Sequence, residues 1–174
     1  MELPVLALEL FVAGLAQDLL PAWQWLPVKI GFLTAVALWA ALTKPALVAL
    51  VAAVWAGAAT DALGGLPMLC TSVFLLAMVP ATRGLRTIFL EPNVWHGMLY
   101  VAVAAMAQSF WTGLWLSGVT PGFGEGVMRC LYSFPAGLIA GGVGFAWCGL
   151  MDRLSGSVKP VEEGNGILWS ETDR

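Results

Sequence analysis

Asp61 is the residue of this chain with the greatest scope for chemistry. It lies in the segment 57–67, GAATDALGGLP, one helical turn after Gly57 and just before a Gly-Gly-Leu-Pro sequence, at the end of an apolar run. A carboxylate in that setting is either a solvated turn residue or a structural hydrogen-bonding and partner-binding group. On local grounds the solvated turn residue is expected. The spacing nevertheless predicts that Asp61 holds the turn between the third and fourth runs, its carboxylate accepting the backbone N–H groups of Gly64-Gly65-Leu66, because an ionised carboxylate only accepts and glycine lets the chain fold back. Arg129 and Asp61 could meet at the external side, where one Arg and one Asp read as an orienting ion pair rather than an active site.

The other reactive side chains form no constellation. Cys70, Cys130 and Cys148 stand inside apolar runs without CxxC spacing or neighbouring histidines, so they read as packing residues. His96 is the only histidine and follows Trp95 at the start of a run, where a ring at the membrane interface is expected. The chain contains no nucleophile elbow, HExxH motif or phosphate-cradling glycine loop followed by lysine. No catalytic, cofactor-binding or metal-ligating residue is assigned, and a non-enzymatic protein is expected.

The elements that carry these residues are those of a membrane protein. Of the 174 residues 59% are hydrophobic and 11% charged, against about 25% charged in soluble domains, and the mean hydropathy is +0.83. Eight Lys and Arg, unclustered, give no nucleic-acid footprint. Apolar runs punctuated by charges and turn residues predict six helices, over 4–20, 27–42, 45–62, 66–82, 94–117 and 125–151. Residues 1–154 form a six-span domain, and residues 155–174 a polar, disordered cytoplasmic tail whose Ile167-Leu168-Trp169 cluster could dock. Glu2 and Glu9 stand where a signal peptide carries basic residues, so the first run is expected to remain as a span. Trp23 and Trp25 suit the membrane interface, and Pro27 and Pro45 suit helix starts. Asn93 is expected to cap the fifth run, residues 119–126 to form a turn-rich connection, and Pro135 to kink the sixth run.

Basic residues set the orientation. With the N-terminus inside, Lys44, Arg83, Arg86, Arg153, Lys159 and Arg174 are cytoplasmic and only Lys29 and Arg129 lie near the outer ends. Both termini are then cytoplasmic, and Asp18, Asp61 and Glu125 fall outside. Small residues at three- and four-residue intervals, Ala49, Ala52, Ala53, Ala56 and Gly57 in the third run and Gly137, Ala140, Gly141 and Gly144 in the sixth, let backbones approach closely. They serve either packing within the bundle or the seating of a partner's transmembrane helix.

The third run and its exit, Gly57, Asp61, Gly65 and Pro67 in a Gly-x-x-x-Asp-x-x-x-Gly-x-Pro pattern, resemble the rod shape-determining protein MreD family, most strongly from Pro27 to Arg86. Family members commonly follow the Pro with a small residue and Gly, where this chain has Met68 and Leu69. The resemblance implies a multi-pass scaffold of the bacterial inner membrane that uses no cofactor. It would bind MreC and act, directly or through it, with MreB, the glycosyltransferase RodA and a transpeptidase in cell-shape control and peptidoglycan synthesis. It also implies an all-α, six-helix bundle similar to the substrate-binding subunits of energy-coupling-factor vitamin transporters, whose function is the alternative.

Overall fold

In the computed structural model, residues 2–20, 30–67, 69–86, 94–116 and 123–154 are described. They form six helices, α1 (Glu2–Leu19), α2 (Phe32–Thr43), α3 (Ala46–Gly64), α4 (Cys70–Arg86), α5 (Val94–Leu116) and α6 (Phe123–Leu154), and no strand is found among them. Three are long and apolar enough to cross a membrane: Ala46–Gly64, Trp95–Trp115 and Gly126–Leu154.

A helix apolar on every side must be buried on every side, and α2 meets that requirement. Every residue from Phe32 to Leu38 is buried, and α2 packs against all five other helices. Around it the seams are built from small side chains. Ala49, Ala52, Ala53 and Ala56 of α3 are fully buried, and α5 and α6 form the most extensive pair. With little side-chain bulk between helices, close backbone contact and dispersion hold the bundle together. Larger apolar groups, among them Phe11, Leu47, Trp55, Phe110 and Leu131, lie on the outside.

The connections follow from local chemistry. Pro45 is the N-cap of α3 and Lys44 the C-cap of α2, its N–H bonding the Ala40 carbonyl at 2.9 Å, so the two helices join in a tight turn. Gly65 ends α3 in the left-handed conformation, φ 63° and ψ 26°, which glycine adopts without steric cost. The fourth helix begins at Cys70 rather than at 66, because Leu66 and Pro67 belong to the turn. The sixth begins at Phe123, so Gly124, Glu125 and Gly126 are helical and not part of a connection. α6 continues through Pro135 and α4 through Pro80. Trp23, Trp25, Pro27, Lys29, Asn93 and the 155–174 tail lie outside the described residues.

Candidate functional site

The four residues of the Gly-Asp-Gly-Pro pattern converge on one joint between α3 and α4. At Gly57 a side chain would overlap the backbone of Ser72, so glycine is what allows the two helices to touch there. The Ser72 hydroxyl donates to the Val54 carbonyl at 3.2 Å across the same contact. One turn later the Asp61 carbonyl accepts from Gly65 and from Leu66, the latter at 3.0 Å, closing α3. The Asp61 carboxylate reaches over the turn, and its two oxygens accept the Thr71 N–H at 3.0 and 3.1 Å. That N–H is one of the unpaired donors at the start of α4, where the helix dipole favours negative charge. Pro67 contributes its carbonyl to the Cys70 N–H at 3.2 Å. Leu69, between them, has φ 73°, a left-handed backbone in a residue with a branched side chain.

Two expectations for Asp61 are corrected. It is 2% exposed, not solvated, because capping α4 draws it between the helices. Its carboxylate takes the Thr71 N–H rather than the Gly64-Gly65-Leu66 donors, whose turn is satisfied by the Asp61 main-chain carbonyl instead. Nor does Arg129 meet it: Arg129 is exposed, and the ion pair found among the described residues is Lys44–Asp152.

That pair lies at the opposite end of the bundle. Lys44 Nζ stands 2.5 Å from Asp152 Oδ1, both side chains being 6% exposed. Trp39 Nε1 donates to Asp152 Oδ2 at 3.0 Å, and an Arg83 guanidinium nitrogen donates to the Lys44 carbonyl at 3.3 Å. The ends of α2, α4 and α6 are thereby tied together. Glu9 of α1 is fully buried within electrostatic reach of Lys44 and Asp152, and neither of its oxygens has a hydrogen-bond partner among the described residues. Both carboxylates lie on buried helical stripes, Glu9 with Leu6, Leu10 and Ala13, Asp152 with Gly141, Phe145 and Cys148. Counting the three- and four-residue spacing of those stripes finds them in the sequence; reading charges only as span boundaries passes over them.

At the Asp61 end the helices part around a cavity of about 180 Å³. Its polar side chains come from Gln17, Thr34, Thr60, Gln108, Ser109, Thr112 and Ser133. Gln17 accepts the Leu33 N–H at 3.2 Å, and the Thr34 hydroxyl donates to Gln108 Oε1 at 2.9 Å. The Ser109 and Ser133 hydroxyls bond each other between α5 and α6.

The small residues pack within the chain. Ala49 and Ala53 are fully buried; a side chain at Gly137 would meet Ala102 Cα at 2.6 Å, one at Gly141 would meet Met98 Cα at 2.9 Å, and one at Gly144 would meet Ala35 Cβ at 2.9 Å. Cys70 and Cys148 are buried and Cys130 half-buried, all unpaired, and His96 is exposed. No cluster of three metal-ligating side chains occurs among the described residues.

Comparison with family models, with curated proteins and with solved structures finds no match to this chain.

Proposed function

We propose that this chain is a non-enzymatic inner-membrane scaffold of the bacterial cell-elongation complex, of the MreD kind, acting by binding MreC. The observation that carries the reading is the α3–α4 joint. The residues of the resemblance, Gly57, Asp61, Gly65 and Pro67, each have a structural task there: close approach, capping, chain reversal and turn closure. A pattern of that kind fixes the shape of a helical hairpin and calls for no cofactor.

Because the small-residue stripes are used internally, the partner in this reading docks on larger apolar groups outside, and α3 offers Leu47, Val51, Val54 and Trp55. The reading has six spans with both termini cytoplasmic. In its favour, Lys44, Arg83 and Arg153 gather at the Lys44–Asp152 end of the bundle, as a cytoplasmic face requires. MreB, RodA and a transpeptidase would be reached directly or through MreC.

Depleting the protein in a rod-shaped host tests this. Rounding of the cells, with peptidoglycan synthesis no longer confined to elongation, is expected; unchanged shape overturns the reading.

The cavity favours a second reading, a substrate-binding membrane subunit of an energy-coupling-factor transporter. Genes for MreB and MreC beside this one support the scaffold; a coupling ATPase or vitamin-synthesis gene there supports uptake.

A further inference from the structure

The cavity between α1, α2, α3, α5 and α6 has a hydrogen-bonding pattern that specifies what can fill it. Three of its hydroxyls spend their protons on carbonyls of their own helices, Thr60 on Ala56 at 2.7 Å, Thr112 on Ser109 at 3.1 Å and Ser133 on Arg129 at 2.7 Å, while Thr34 donates to Gln108 and Ser109 to Ser133 across helices. What they still offer is acceptor lone pairs. The two glutamines supply the reverse. The Leu33 N–H fixes Gln17 with its oxygen engaged, and the Thr34 hydroxyl engages the Gln108 oxygen, so each amide keeps its N–H donors. Neither amide nitrogen has a partner among the described residues. Among the described residues no charged side chain lines the cavity, so an ion there would be desolvated without a counter-charge from them.

We propose that this cavity binds an uncharged, hydroxyl-rich group the size of one sugar ring. Hydroxyl groups both donate and accept, so a ring that carries several answers the acceptors of Thr60 and Ser133 and the donors of Gln17 and Gln108 together. The remaining walls, Val101, Ala105, Ala136 and Ala140, are apolar and suit the C–H faces of such a ring. Water can meet the same polar groups, so the ligand must reproduce those bonds to displace it. This inference stands apart from the scaffold reading, because loss of the ligand leaves the α3–α4 joint and MreC binding intact.

The test uses the full chain, purified in a sugar-free detergent or placed in phosphatidylcholine nanodiscs, and reads its thermal unfolding midpoint. Two probes distinguish the source of the group: methyl glucoside for a soluble ligand and monoglucosyl diacylglycerol for a lipid headgroup. Phosphatidylglycerol is the anionic control. A rise of several degrees with one glucoside probe, absent with phosphatidylglycerol, is expected. Gln17→Leu should abolish that rise, as should Ala105→Met, which fills the cavity from an apolar wall. No rise with either glucoside, an equal rise with phosphatidylglycerol, or a rise that survives in both variants overturns the proposal.

Discussion

The carboxylate of Asp61 holds the backbone N–H of Thr71, ten residues on, with both oxygens, while its own carbonyl closes the preceding helix. One residue thus ends α3 and starts α4. Asp61→Ala removes the acceptor from a buried donor and should cost about 1–3 kcal/mol. Asp61→Asn keeps one acceptor oxygen and should cost less than half of that. Unfolding midpoints in detergent check both; equal loss in the two variants would mean that the negative charge itself is required.

Leu69 occupies a left-handed conformation at the position where the resembled family has glycine. Its side chain is 56% exposed, so little packing is at stake. Leu69→Gly should stabilise the fold by about 1 kcal/mol by relieving the backbone. A lower unfolding midpoint than the parent would contradict this.

Lys44 and Asp152 form a buried pair, and removing either alone takes the counter-charge from the other. Lys44→Met should cost about 3–5 kcal/mol, and Lys44→Met with Asp152→Leu should recover most of it. A double-mutant cycle measures the coupling; additive losses would show that the pair is not an energetic unit. Glu9 belongs to the same region without a hydrogen-bond partner among the described residues, so Glu9→Met should raise stability by about 1–3 kcal/mol. Destabilisation by Glu9→Met would show that the carboxylate is bound by something further.

At Gly57 an added methyl group runs into the Ser72 backbone, whereas at Gly113 it meets nothing within 4 Å. Gly57→Ala should therefore destabilise by about 1–3 kcal/mol through overpacking, and Gly113→Ala should be neutral or slightly stabilising. Gly141→Leu should disrupt the α5–α6 seam itself. Equal responses at Gly57 and Gly113 would remove the case for close approach.

The six helices were legible as apolar runs, and the α3–α4 joint as a spacing of Gly57, Asp61 and Gly65. What the carboxylate holds was not legible, because the sequence shows the nearest donors and not those that α4 brings back over the turn. The cavity was hidden for the same reason. Gln17, Thr34 and Gln108 are ordinary polar residues within separate runs, and only tertiary packing turns them towards one space. Glu9 and Asp152 were missed differently: their buried stripes can be read along each helix, but in a membrane protein charges invite reading as boundaries.

Affinity purification of the tagged full chain from native membranes in mild detergent, followed by mass spectrometry of its partners, tests the central claim most directly. The scaffold account predicts MreC as the principal bound protein, recovered with the parent and with Gly113→Ala and reduced with Asp61→Ala. Recovery of a transporter coupling subunit and its ATPase in place of MreC would contradict it.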